Sequence, residues 1–500
     1  MTASTTPVRP AATPSTRRRW GGLAVLSASL LLVVMDMTIL NLALPAMAED
    51  LRPSSVELLW MVDIYSLVLA GLLVTASSLG DRIGRRRMLV TGFVIFGAAS
   101  LGVLLADSPA HVIAVRVLLG VGGAMIMPST LSLIRALFPD ARERATALGI
   151  WGATAAVGSA LGPILGGALL QNFSWHSAFL VNVPVMAAAV VAALLLLPES
   201  RSERPGRLDP VATVLSIAGM VGLVYAIKEL GKDGVTAEVL VVGLVGAALL
   251  FGFVLRCLRT GEPMLEIRLF RGRGFTAGVL TALITSFAMV AALLLISQWL
   301  QLVKGWSPLA SGVALLPMAV GGLIGSPLAP ALAQRIGART VLVGGLAVGA
   351  AGFLLLFAVP QPLTYAGIAA SLTLIGIGTA PLAVASAVIM AGAPVDQAGS
   401  AAAIEESSYE IGAALGITVL GSLAAAVYRA GLPSDAPTQA QESLAGALTL
   451  GDPALSSTAR TAFTESLTWF GLSGGLLLLA VAGLVLYLTP RTLDLSAAHH

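Results

Sequence analysis

Charge is what this sequence has least of. Only 11% of its 500 residues are Asp, Glu, Lys or Arg, against about 25% in soluble chains. A chain of this length needs far more polar surface to fold in water, so a soluble globular domain is excluded. Cysteine is nearly missing. Cys257 stands alone, so no disulfide forms within the chain and nothing depends on an oxidising compartment. Histidine occurs four times, twice as the terminal His499 and His500, and no Cys or His spacing suits a metal. The sequence has no phosphate-binding glycine loop and no nucleophile beside a base. An enzyme is therefore not expected, and neither is a cofactor. A sensor would normally append a soluble domain. The longest polar stretches, 1–20 and about 429–465, carry no motif, and the second has no assignable role.

What is there is apolar: 57% of residues, with a mean hydropathy of +0.91. Apolar and polar residues do not alternate over about 10 positions, as strands of a membrane barrel would. They run in blocks of about 20, the length of a helix across a bilayer core. The blocks predict about 14 spans, near 21–47, 56–79, 88–106, 111–133, 145–170, 178–197, 210–229, 236–257, 274–303, 308–333, 340–359, 364–393, 399–428 and 466–488. The fold class is an all-α polytopic membrane protein. Arg17, Arg18 and Arg19 before an apolar run, with Ala46-Met47-Ala48 after it, resemble a signal peptide. The run exceeds a signal core of about 7–15 residues, and Asp36 interrupts it. It reads instead as a retained first span.

Basic residues set the orientation. Placing the N-terminus in the cytoplasm puts 22 of the 29 lysines and arginines in cytoplasmic segments. Six fall outside: Arg52, Lys228, Lys232, Lys304, Arg429 and Arg460, with Arg116 inside a span. The positive-inside rule then predicts an even span number, a cytoplasmic (inner) membrane and cytoplasmic tails at 1–20 and 491–500. The basic pI of 9.2 reflects topology and not nucleic-acid binding.

The chain repeats itself. Arg82, Gly84 and Arg86 match Arg335, Gly337 and Arg339 at an offset of 253, and Gly158-Ser159-Ala160-Leu161-Gly162 matches Gly412-Ala413-Ala414-Leu415-Gly416 at 254. Two offsets agreeing within one residue argue for duplication rather than chance among Gly- and Ala-rich helices. Residues 21–199 and 261–490 are expected as two six-helix bundles in a parallel repeat, with 200–260 carrying two inserted spans.

Several motifs narrow this. Gly80-Asp81-Arg82-Ile83-Gly84-Arg85-Arg86-Arg87 fills a short loop, where glycine permits a tight turn and the arginines anchor the face. Asp81, the one acid there, needs a structural partner. A plain topological anchor is the simpler reading of the same residues. Span 5 reads Gly158 to Gly162-Pro163-Ile164-Leu165-Gly166-Gly167. Small residues four apart let helices approach closely, and Pro163 bends the helix. That suits a gating seam between bundles, beside ordinary helix packing. With Asp36-Met37-Thr38-Ile39-Leu40-Asn41-Leu42-Ala43-Leu44-Pro45 in span 1 and Arg116-Val117-Leu118-Leu119-Gly120 in span 4, the chain resembles the 14-span drug:proton antiporters of the major facilitator superfamily, exporters of the QacA type. The resemblance covers nearly all of the chain after residue 20. Ser77 stands where the family has a glycine. The resemblance implies the major facilitator fold, export of hydrophobic or cationic drugs driven by protons, contact with membrane lipids, and a monomer. A narrow-substrate antibiotic or metabolite exporter is the alternative of the same fold.

Ionisable residues inside spans are costly and usually face a cavity or partner. Here they are Asp36, Asp63, Arg116, Glu405, Glu406 and Glu410. Asp36, with Thr38 and Asn41 nearby, is the expected proton-coupling site. Asp63, between Trp60 and Tyr65, suits a cation through charge and ring-face attraction, or an interfacial position. Arg116 stays charged and must pair with an acid or a carbonyl. Glu406 and Glu410 share a helix face, with Glu405 about 100° away. Two such carboxylates in a low dielectric do not ionise together readily. The family resemblance implies functional acids at Glu406 and Glu410, and less consistently at Glu405. A solvated position near the cytoplasmic end is the plainer alternative.

Overall fold

A computed structural model describes residues 16–201, 209–261, 263, 265–359, 362–394 and 397–490. The expected tail as far as residue 15, the tail 491–500, and Arg204 and Arg207 of the inserted linker lie outside the described residues. Among the described residues the chain is helical and forms no strand.

The spans are α1 (Thr16–Leu51), α2 (Ser55–Ile83), α3 (Arg85–Gly102), α4 (Pro109–Leu137), α5 (Ala141–Asn172), α6 (Asn182–Leu196), α7 (Pro210–Asp233) and α8 (Ala237–Arg259). They continue as α9 (Arg273–Gln298), α10 (Pro308–Ala314, running on as Leu316–Ile336), α11 (Ala338–Ala358), α12 (Tyr365–Ile377, running on as Pro381–Ala391), α13 (Ala398–Ala430) and α14 (Pro453–Leu488). Among the described residues, 13 helices are long and apolar enough to cross a membrane. The remaining expected span, 145–170, is covered by α5.

Local sequence fixes where these helices start. Ser54 accepts from the Glu57 amide at 3.2 Å while the Glu57 carboxylate accepts from the Ser54 amide at 2.8 Å, a reciprocal cap on α2. Asp209, Thr236, Ser307 and Asp452 cap α7, α8, α10 and α14 by accepting from first-turn amides. Proline opens α4, α7, α10 and α14, where its missing N–H costs nothing.

Two hydrophobic cores form. One is built mainly from α1–α4, α6 and neighbouring turns, the other from α9–α14. α7 and α8 pack on each other, and α7 also packs on α2 and α13. The repeat is visible in the backbone. Gly84 joins α2 to α3 at φ 113°, ψ 134°, and Gly337 joins α10 to α11 at φ 88°, ψ 145°.

Packing follows the same pseudo-symmetry. α5 lies on α1, as α13 lies on α9. Across the halves α5 meets α10, and α13 meets α2. Among the described residues, hydrogen bonds between the halves gather away from the arginine-rich loops. Ser297 donates to the Asn41 carbonyl at 3.2 Å, Gln301 to the Leu42 carbonyl at 3.2 Å, and the Ser55 amide to Glu442 at 2.6 Å. The end carrying residues 429–452 is therefore shut.

The polar stretch 429–465 is not a plain loop. Residues 453–465 form the first turns of the 36-residue α14, longer than the expected 466–488, and Thr438–Glu442 and Leu444–Thr449 are short helices. Composition hid this because Ser456, Ser457 and Thr458 lengthen the helix beyond its apolar run.

Candidate functional site

The arginine loop is fastened from two directions. Asp81 has its partner: Arg85 approaches it at 2.6 Å and also donates to Ser77 at 3.3 Å from two nitrogens. Ser77, at the family's glycine position, thus accepts from a buried guanidinium. Glu199 after α6 accepts from the Arg86 amide at 3.1 Å and lies against Gly84, which has no room for a Cβ on that side.

The glycines of α5 are contact points. At Gly158 a Cβ would lie 3.1 Å from the Leu31 carbonyl oxygen, and at Gly166 it would lie 3.2 Å from the Ile39 Cα. At Gly162 it would overlap Thr38, so α1 and α5 touch along this stripe. Gly167 faces the other half, where a Cβ would stand 2.5 Å from the Leu309 Cα. Gly312 of α10 in turn faces the Pro163 carbonyl with no space for a side chain. In the second half Gly412 and Gly416 face the Leu283 and Phe287 carbonyls of α9 in the same close manner.

Between these seams lie the buried charges. Arg116 donates to Asp36 at 2.8 Å, with both side chains only 2% exposed. Its other nitrogens donate to the Met61 carbonyl at 3.1 Å and the Val62 carbonyl at 2.9 Å. The guanidinium lies 4.6 Å from the centre of the Tyr65 ring. Asn182 of α6 donates to the second Asp36 oxygen at 2.8 Å and to Ser100 at 3.3 Å. Asp36 therefore joins α1 to α4 and α6, and Arg116 extends the network to α2.

Asp63 is also occupied. Lys228 of α7 donates to it at 2.8 Å with both side chains 0% exposed, and Thr418 of α13 donates to its other oxygen at 2.9 Å. The Lys228 ammonium lies 3.6 Å from the centre of the Trp60 ring. The acid and aromatic pair expected to receive an outside cation thus holds one belonging to the chain. Lys228, read from sequence as an outside residue, is instead wholly buried. It lies within the helix, as the expected span 210–229 already had it, and turns its ammonium onto Asp63 of α2 rather than to the surface.

The carboxylates of α13 differ. Tyr409 donates to Glu405 at 2.8 Å. Glu410 is buried, with a hydrogen bond from Ser66 of α2, while its Oε2 has no partner. Glu406 is half-buried on the same side. Among the described residues no basic side chain forms an ion pair with either. Tyr65, fully buried with an unpartnered hydroxyl, lies within electrostatic reach of Asp36, Arg116, Glu406 and Glu410. The structure joins Asp36 to Arg116, sets that guanidinium over Tyr65, and seats Asp63 on the α7 side.

Sequence reasoning missed Ser66, Asn182, Lys228 and Thr418, and it read Tyr65 as a neighbour of Asp63 where the structure sets it against Arg116. Asn182 and Lys228 were open to discovery, as polar groups within or at the edge of an apolar block. The others are too ordinary in type to stand out.

The sequence profile of the Major Facilitator Superfamily matches residues 26–417. The multidrug efflux pump LfrA of Mycolicibacterium smegmatis is 41% identical over 493 residues, covering 95% of this chain and 97% of that protein. The methyl viologen resistance protein SmvA of Salmonella typhimurium is 37% identical over 441 residues, covering 87% and 88%. Among solved structures, a bacterial homologue of the human lysosomal transporter Spinster, inward-facing and occupied, superposes with a TM-score of 0.68 at 18% identity. That match covers 95% of this chain and 97% of the other, and it bears on the fold alone.

Proposed function

The chain belongs to the Major Facilitator Superfamily, and from that premise we propose that it exports hydrophobic cations in exchange for protons by alternating access. It is a multi-pass drug exporter of the cell membrane and not an enzyme. Relatives named for multidrug efflux and for methyl viologen resistance support this, and a cationic cargo fits the site. The observation that carries the cationic reading is the contrast among the buried acids. Asp36 and Asp63 each hold a resident cation, whereas among the described residues Glu406 and Glu410 form no ion pair and one Glu410 oxygen has no partner.

In this reading a lipophilic cation enters from the arginine-rich side, taken as cytoplasmic by the positive-inside rule, and binds at Glu406 and Glu410. A buried carboxylate holds a cation only when ionised, so proton and drug exclude one another there. Asp36 couples the cycle through Arg116. A proton on Asp36 removes the charge that holds Arg116 to α1, and the guanidinium keeps its two α2 carbonyls. α1 is then freer to move against α2 and α4. Gly167 of α5 and Gly312 of α10 bring the backbones of the two halves together with no side chain of their own at the contact, which leaves that seam free to slide as the halves rock.

The test is ethidium transport in proteoliposomes under an imposed pH gradient. Wild type should move ethidium against its gradient. Asp36→Asn should lose gradient driving but retain ethidium binding, and Glu406→Gln with Glu410→Gln should lose binding. Gradient-driven transport surviving in the triple variant would refute these roles. If wild type moves no ethidium, a narrow-substrate exporter of the same fold becomes the better reading.

A further inference from the structure

We propose that Lys228 is a resident counter-cation that clasps the inserted helix pair to both halves and holds the 429–452 end of the transporter shut. The proposal rests on the alternating-access reading and adds a part to it. Three separate bodies meet at one carboxylate. Asp63 comes from α2 in the first half, Lys228 from α7 in the insert, and Thr418 from α13 in the second half. A pair with only structural duties could sit within one half. This one lies where the halves must part when that end opens.

The surroundings are built for it. Leu67 of α2, Val224 of α7 and Ala414 of α13 form one small apolar cluster with Trp60, Met220 and Leu415 packed on it. Water is thereby kept from the pair. Gly71 of α2 lets Ile217 of α7 approach to 2.5 Å from where a Cβ would stand. Thr75 and Thr213 are hydrogen-bonded at 2.7 Å across the same helices. α7 is thus fixed along α2, while Thr418 is the arm that reaches the second half.

Burying an ion pair gains little stability over apolar residues of similar size. Selection for stability alone therefore does not explain a wholly buried lysine here. A clasp does, because the charged pair holds Thr418 of the second half, and that bond exists in one arrangement of the halves and breaks in the other. When α13 leaves α2, Thr418 departs, and the long lysine stem lets Lys228 stay on Asp63. The carboxylate then stays neutralised through the cycle and is withheld from the drug. The inserted pair is accordingly part of the gate and not a spacer between bundles.

A cysteine reporter tests this. Ser422 lines a small cavity with Ser55, Leu59, Lys228 and Arg429 at the closed end, and its hydroxyl has no partner. In a Cys257→Ser background, Ser422→Cys is labelled with a membrane-impermeant maleimide added on the side of the 429–452 connection. Wild type should label slowly. Lys228→Met and, separately, Thr418→Val should each label several-fold faster. The swap of Asp63→Lys with Lys228→Asp should return toward the slow rate. Unchanged labelling in a monodisperse Lys228→Met variant would overturn the proposal. If that variant does not fold, Thr418→Val, which leaves the ion pair in place, decides by the same criterion. Failure of alternating access would show differently, as wild-type labelling that ignores both ethidium and a pH gradient.

Discussion

Replacing Arg116 by methionine removes one partner of a buried pair and keeps most of the volume. The guanidinium makes three hydrogen bonds, to Asp36 at 2.8 Å, the Val62 carbonyl at 2.9 Å and the Met61 carbonyl at 3.1 Å. The two helix carbonyls already belong to α2, so their loss is mild. Asp36 is different, because only Asn182 is left to it. Breaking a buried pair from one side costs about 3–5 kcal/mol, and Arg116→Met should fall in that range. Asp36→Asn should cost less. The amide oxygen still accepts from Arg116, and exchanging a charge-assisted bond for a neutral one loses about 1 kcal/mol. Adding Asp36→Asn to Arg116→Met removes the stranded charge, and coupled neighbours recover about 0.5–3 kcal/mol. The double variant should therefore unfold at a higher temperature than Arg116→Met alone. The assay is thermal unfolding in detergent, followed by emission from the seven tryptophans. A double variant as unstable as Arg116→Met, or less stable, would refute the claim that the stranded carboxylate carries the cost.

Three further outcomes follow from the geometry. Gly84→Ala forces a side chain onto φ 113° and into the Glu199 carboxylate; it should cost about 1–3 kcal/mol, read as a lower unfolding temperature, with Gly337→Ala milder because nothing crowds that position. Gly162→Ala drives a methyl into Thr38; an overpacking cost of about 1–3 kcal/mol is expected, and Thr38→Ala in the same chain should relieve it in the same melt. The Arg256 guanidinium, donating to Asp209 at 2.7 Å, holds that carboxyl below the usual carboxylate range. Its contribution to stability is therefore present above the ordinary carboxylate pKa of about 3.9 and is lost as pH falls below it. The difference in unfolding temperature between wild type and Asp209→Asn should be constant from pH 7 to about pH 5 and shrink toward pH 3.

The span pattern was legible because apolar blocks of bilayer length are set by local composition. The repeat was legible for the same reason, and Gly84 and Gly337 carry it into the backbone with similar φ and ψ. The partner of Asp81 was within reach too, since Arg85 is four residues on, just across the Gly84 turn. Pairing across the chain was not legible. Asp36 meets Arg116 80 residues later, and Asp63 meets Lys228 at a separation of 165. No local periodicity encodes such distances. Lys228 was hidden further by its place at the end of the expected span 210–229, where it counts among the outside basic residues. The glycine stripe of α5 announced close packing, but only the fold reveals that Gly158, Gly162 and Gly166 face α1 while Gly167 faces α10.

The resident cations also have an electrical meaning. A unit charge carried across the full membrane field exchanges about 2.3 kcal/mol per 100 mV. A carboxylate that travels with its own guanidinium or ammonium is a dipole and exchanges almost none. Asp36 with Arg116 and Asp63 with Lys228 are two such dipoles. Voltage can therefore act on the heart of this site through Glu406 and Glu410 with whichever cation occupies them, and through the Asp36 pair only while Asp36 carries its proton and leaves Arg116 uncompensated.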